Sequence, residues 1–184
     1  MTIYVVLALA IAIVIWGIAV YNRIVNLRQR SQEAWSDIDT QLKRRHDIVP
    51  NLVETVKGYA AHERQVFQQV ADARTRALSA RTVQEKGDAE TNLAQTLQGL
   101  VAVAEAYPEL KANENFLGLQ QALSQLEDDI QKSRRYYNAV VRDHNIAIQI
   151  VPNSIVAMLV GFKSLEFFQL EREIERAVPG VTLP

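Results

Sequence analysis

The chain has 184 residues, 20 Lys or Arg against 21 Asp or Glu, a formal net charge of -1 and no cysteine. The near-neutral, evenly mixed charge gives no electrostatic basis for wholesale nucleic-acid binding. The missing thiols exclude disulfides, thiolate nucleophiles and cysteine-built zinc or iron–sulfur centres.

From Ile3 through Val20 there is no charged residue, and nearly every side chain is Ile, Val, Leu or Ala. Eighteen helical residues extend roughly 27 Å, close to the ~30 Å apolar core of a bilayer. Tyr4 and Tyr21 bracket the run where interfacial rings sit, although Trp16 lies inside it. A soluble core helix of five turns would show a polar face, and none is present. A cleaved signal peptide would carry a basic start and a small-x-small site. Here no Lys or Arg precedes the run, which passes through Ala19-Val20-Tyr21-Asn22 into polar helix. Residues 1–21 are therefore expected to be one uncleaved signal-anchor in a cell membrane, with residues 3–20 in contact with the lipid bilayer. Arg23, Arg28 and Arg30 follow it, and the positive-inside rule places the body on the cytoplasmic side behind a very short external N-terminus. Glu33, Asp37 and Asp39 dilute that field, and a periplasmic or extracellular body stays open.

Behind the anchor the pattern predicts an all-α body, residues 22–178, with a short tail at 179–184. About 160 residues are enough to bury a real core. Helical phase resumes at Ile24 and Leu27 with no Gly- or Pro-rich linker, so anchor and first bundle helix should be nearly continuous. The intervals of three and four continue through Ser31, Ala34, Ile38, Leu42, Val49, Leu52, Val56 and Tyr59, then Val66, Val70, Ala73 and Ala77. Pro50 lies within that phase and predicts a kink or a short restart. Residues 79–88 lose the rhythm and read as a turn, with Asp88 as N-cap of the next helix. That helix uses Leu93, Leu97, Leu100, Val101 and Ala104 before Tyr107-Pro108 makes a second corner.

Phe116, Leu119, Leu123, Leu126, Ile130, Ser133, Tyr137, Val140, His144 and Ala147 then alternate strictly by three and four, a coiled-coil-like seam. Antiparallel return of the first long helix covers such a seam within one chain, giving a four-helix type of bundle. The seam also suits a homo-oligomer. Packing is expected at Trp35, Leu123 and Tyr137. After Pro152, the residues Ile155, Val156, Met158, Leu159, Val160, Phe162, Leu165, Phe167, Phe168 and Leu170 form the most apolar stretch outside the anchor. Gly161 and Lys163 interrupt it, and it is too short to span a bilayer. It reads as a closing helix, with a membrane-surface or subunit-contact element as the alternative. Ile-Val-Pro-Asn occurs at 48–51 and again at 150–153, which reads as two similar helix breaks.

No local motif supplies a catalytic, cofactor or metal site. His62-Glu63 is followed by Val66 where a metal-binding HExxH helix needs a second histidine. No Glu-x-x-His step of the di-iron bundles occurs, and no Gly-rich phosphate loop or nucleophile elbow. Asp37 with Asp39, and Asp128 with Asp129, read as solvated surface. The alternative is a hidden enzyme or metal bundle, with His46, His62 and His144 brought together by folding. The sharpest polar feature is Lys43-Arg44-Arg45, which reads as a helix face paired with Asp39 or Asp47, or as attraction for anionic lipid or an acidic partner. The candidate partner contacts are thus Lys43, Arg44, Arg45, Phe162, Phe167 and Phe168.

The residues also carry a likeness. Tyr21-Asn22, Ala34-Trp35 with Ile38-Asp39, QLKRRHDIVPNLVETVKGYAAHE from Gln41, AYPELKANENF from Ala106, RRYYNAVVRDHN from Arg134 and VPNSIVAMLVGF from Val151 together resemble the LemA family. The likeness runs in order along nearly the whole chain. It differs at Ile48-Val49, where the family pattern usually shows Asp-Leu-Ile-Pro-Asn, and at Val151, where it usually shows Phe-Pro; both keep an apolar residue before proline. The resemblance implies an N-terminal membrane helix, an elongated antiparallel bundle and a bacterial membrane-associated structural or accessory role, one branch being similar to proteins of magnetosome membrane biogenesis. It supplies no catalytic residue. A non-enzymatic scaffold that organises itself or its partners at the membrane is the resulting expectation, with an adaptor for one membrane protein as the alternative.

Overall fold

The computed structural model describes residues 1–169, so Leu170, the end of the expected 22–178 domain and the 179–184 tail lie outside the described residues. Among the described residues there is no β-strand. The helices are α1 (Thr2–Lys57), α2 (Arg64–Ser79), α3 (Val83–Glu105), α4 (Pro108–Lys111), α5 (Glu114–Gln149) and α6 (Asn153–Val160). Contacts divide the described residues into two compact units: residues 1–40 with 131–167, and residues 41–130 with Phe168 and Gln169.

In the first unit, α1 leaves the apolar run without a break. Every residue from Ile3 to Trp16 is exposed, and Val20 is the first to be buried. This is the one helix among the described residues long and apolar enough to cross a membrane. Farther along, α1 and α5 lie antiparallel: Trp35 packs on Tyr137 with ring centroids 5.3 Å apart, while Val20 and Ile24 share a core with Ala147, Ile148 and Ala157. After α5 the chain turns at Val151-Pro152, whose peptide is cis, and restarts as α6. Gly161, at φ +80, closes α6 where L side chains are disfavoured. Its N–H reaches Met158 O at 3.3 Å and the Phe162 N–H reaches Ala157 O at 3.0 Å, the paired bonds of a Schellman end. The chain then runs back along α5. Asn145 clamps Leu165 with both amide atoms, at 2.8 and 2.9 Å, and the Tyr137 hydroxyl donates to Glu166 O at 2.9 Å.

In the second unit, residues 41–57 of α1, then α2, α3 and residues 114–130 of α5 surround one core containing Leu52, Val56, Val70, Leu93, Leu97, Leu100 and Leu123. The apolar face read through Val49 to Tyr59 and on through Val66 to Ala77 is divided here, because α1 stops at Lys57 and α2 starts at Arg64. Ala60 is buried in the intervening turn and the Tyr59 hydroxyl accepts from Asn113 Nδ2 at 3.0 Å, so tertiary partners hold a break that apolar spacing passes over. The next boundary is also earlier than expected. Thr82, rather than Asp88, caps α3: its hydroxyl accepts from Glu85 N at 3.1 Å while Glu85 Oε2 accepts from Thr82 N at 3.2 Å and Arg81 N at 2.9 Å. These donors hold the exposed Glu85 carboxyl below its ordinary pKa. This reciprocal box satisfies the free amides of the first turn, and Gly87 therefore sits inside the helix. A side chain at Gly87 would collide with the carbonyl of Gln169, which explains glycine at a buried helical position. Asn113 begins α5 in a similar way, its Oδ1 accepting from Phe116 N at 3.0 Å.

Candidate functional site

The cationic triplet separates because a helix turns about 100° per residue. Lys43 and Arg44 are exposed, whereas Arg45 is only 1% exposed. Arg45 lies three residues after Leu42 and four before Val49, on the face that enters the core. Glu90 occupies the equivalent register on α3, three residues before Leu93 and seven before Leu97, and is likewise 1% exposed. Two opposite charges are thus carried into one interior by two apolar stripes.

They meet there. Arg45 Nη2 bonds Glu90 Oε2 and also lies 3.4 Å from Glu90 O, while Nη1 donates to Glu127 Oε1 at 2.7 Å. His46 Nε2 is 2.8 Å from Glu90 Oε1, at ion-pair distance but off the hydrogen-bond axis. Burial alone would push the Glu90 carboxyl up, but His46 and Arg45 outweigh it and hold the group below its ordinary value of 4.5. Burial also opposes charge on Arg45, yet Glu127 and Glu90 keep its guanidinium above its already high ordinary value. The pairing with Asp39 or Asp47 expected for this cluster does not include Arg45. Its partners come from α3 and α5.

Pro50 completes the arrangement. A proline at this position has no N–H for the carbonyl four residues earlier, that of His46. Arg74 of α2 donates its Nε to that oxygen at 3.0 Å. One guanidinium thereby supplies the bond that α1 lacks, and α1 continues through Pro50 without the short restart that was one of the two expectations there.

Outside this network, Arg44, Asp47 and Ile48 of α1 and Ala122, Gln125, Leu126 and Asp129 of α5 line a groove of about 520 Å³. The aromatic candidates also differ in access. Phe162 is half-buried against Tyr21, with centroids 5.9 Å apart; Phe167 is exposed; Phe168 is fully buried. Of the six candidate partner contacts, Arg45 and Phe168 therefore serve the interior of this chain, and Lys43, Arg44, Phe162 and Phe167 reach the surface. His46 and His144 are buried while His62 is exposed. Among the described residues no group of three or more His, Asp or Glu is placed to hold a metal ion. The charged groups of the network pair with one another across α1, α3 and α5.

A model of the LemA family matches residues 34–183. The chain belongs to the LemA family. It is 26% identical over 175 residues to magnetosome protein MamQ 2 of Paramagnetospirillum magneticum, covering 81% of this chain and 64% of that protein. Against magnetosome protein MamQ of Magnetospirillum gryphiswaldense the identity is 25% over 174 residues, with 80% and 64% covered. Protein LemA of Metamycoplasma hominis is 26% identical over 157 residues, with 84% and 71% covered. The chain thus spans less than two thirds of the length of the magnetosome proteins it matches.

The segments that carry the LemA likeness hold the contacts described above. QLKRRHDIVPN contains Arg45, His46 and Pro50; AYPELKANENF contains the cap Asn113; RRYYNAVVRDHN contains Tyr137 and Asn145. Glu90, Glu127 and Arg74 lie outside those segments, and motif reading missed them.

Proposed function

We propose that this LemA-family chain is a non-enzymatic, membrane-anchored structural protein that organises copies of itself at the cytoplasmic face of a bacterial membrane. The observation that carries the reading is the unbroken α1, which leaves the lipid-spanning run and becomes the packed body with no linker between. A catalytic domain gains little from such a mount, whereas a scaffold needs its surfaces held in a fixed direction. The exposed Lys43, Arg44 and Phe167 give the body mixed contact surfaces, and relatives named as magnetosome proteins support a role at a specialised membrane. The full chain extracted in mild detergent, or placed in nanodiscs at membrane-like density, is expected to give the mass of a dimer or larger assembly. A clean monomer under both conditions overturns self-assembly.

A second reading, an adaptor for one membrane protein, is favoured by the groove of about 520 Å³ that carries Arg44, Asp47 and Asp129 beside Ile48 and Leu126. Crosslinking in the native membrane separates the two readings: predominant self-links support the scaffold, and one heterologous product from residues around Arg44 supports the adaptor.

A further inference from the structure

The last turn of the apolar run and α6 share one small core. Val20 and Ile24 pack with Ala147, Ile148 and Ala157, and Tyr21 meets Phe162. This holds α6 level with the place where the uncharged run ends. Only one side of α6 is used in that core: Asn153 and Ala157 are buried, while Ile155 is 57% exposed, Met158 82%, Leu159 82% and Val160 51%. Val151, in the preceding turn, is 81% exposed. The helix carries no charge.

Fully burying one large aliphatic side chain is worth about 1.5–3 kcal/mol, so this cluster would be a substantial liability if it faced water. Its neighbour identifies the cover. The exposed side chains of Ile3 to Ile18 are covered by hydrocarbon, and the outer face of α6 continues the same apolar surface at its lower edge. Charge begins where α6 ends. Lys163 follows the Gly161 turn, and Arg23 and Arg28 follow Tyr21 on α1, all exposed. Arg28 and Lys163 line a cavity of about 170 Å³ together with His144, which is 1% exposed and whose Nε2 has no hydrogen-bond partner. Cations on flexible stems beside an apolar face suit the phosphate level of a bilayer.

We propose that α6 and the Val151-Pro152 turn form a second bilayer contact beside the anchor. Ile155, Met158 and Leu159 sit at the acyl boundary, and Arg28 and Lys163 lie among the lipid phosphates. An eight-residue helix binds a membrane weakly when free. Here the anchor already holds it at the surface, so the contact is intramolecular in effect. Its role is to fix the tilt of the body.

The absence of cysteine allows a direct test in the full chain. Single cysteines at Met158 and Leu159, with the exposed Ser124 of α5 as control, are nitroxide-labelled in phosphatidylcholine nanodiscs. Collision with oxygen and with a water-soluble nickel chelate is then measured by electron paramagnetic resonance. The proposal expects the oxygen-to-nickel ratio at 158 and 159 to exceed that at 124 several-fold. Equal ratios at all three positions overturn it. So does shielding from both reagents with spin–spin broadening that unlabelled protein removes, which would place a second copy on α6. Replacing part of the lipid by phosphatidylglycerol is expected to deepen the 158 label. Equal depth overturns the role given to Arg28 and Lys163.

Discussion

The two copies of Ile-Val-Pro-Asn, identical in sequence, have opposite structural outcomes. At 48–51 the helix α1 passes through Pro50, whereas at 150–153 the helix α5 has already ended and Pro152 precedes α6. Proline poses the same problem at both: a missing N–H and a restricted predecessor. The first copy lies over a core with Arg74 within reach of the freed His46 carbonyl, so continuing the helix leaves that oxygen satisfied. The second itself begins with exposed Ile150 and Val151, and its bonds are those of a restart, Ser154 N to Ile150 O at 2.9 Å and Ile155 N to Pro152 O at 3.1 Å. At the first copy the helix therefore passes its proline with a donor from α2 on the carbonyl that the proline frees.

The largest test of that contrast is Glu90, which holds Arg45 and His46 just ahead of the first proline. Glu90→Ala leaves a buried guanidinium with only the partly solvated Glu127, and should cost about 3–5 kcal/mol in denaturant unfolding of the full chain in detergent. Replacing both partners, Arg45→Met with Glu90→Leu, should recover most of it. The same carboxylate sets an acid limit. Its folded pKa lies below the ordinary 4.5, so the unfolded chain takes up the proton first. The stabilisation is complete above that value and is lost as pH falls through the lower folded value. Glu90→Gln should remove this part of the acid dependence.

A smaller effect separates the two copies directly. Arg74→Leu leaves the His46 carbonyl without its donor and should cost about 1–3 kcal/mol. Adding Pro50→Ala returns a backbone N–H to the same oxygen and should restore much of the loss, seen as a recovered unfolding midpoint. If Arg74→Leu is neutral and Pro50→Ala adds nothing to it, the carbonyl does not govern the outcome.

The smallest effect falls on the second copy, whose short helix ends at one left-handed residue. A Cβ at Gly161 meets nothing within 4 Å, so Gly161→Ala should cost only the conformational penalty, about 1 kcal/mol. Faster amide exchange across 153–160, with the region around Pro50 unchanged, is the expected reading.

Spacing alone made much of the fold legible. Of the ten seam positions from Phe116 to Ala147, eight are buried and two, Leu119 and Ser133, are half-buried. The direct passage from anchor to body was also readable, because nothing near Tyr21 to Val25 breaks a helix. The polar site was less legible, although its signal was present: Arg45 and Glu90 occupy apolar register on their helices, and a charge in such a position must find an opposite partner inside. Reading Arg45 with its exposed neighbours Lys43 and Arg44 concealed that. Arg74 and the turn at 58–63 depend on contacts across sequence separations that periodicity does not carry. The Thr82 box is legible as Thr-Val-Gln-Glu, but Gly87 five residues on carries the stronger turn signal, because glycine ordinarily marks a turn.

The unbroken α1 also has an entropic consequence. A body on a loose tether must surrender its freedom to tumble each time it meets a neighbour, and that loss is subtracted from every contact made. A body that is the extension of its own membrane helix has given up tumbling on insertion. In the self-assembly proposed above, copies would meet with lateral diffusion and spin about the bilayer normal as their principal freedoms, so modest surfaces would suffice to order them.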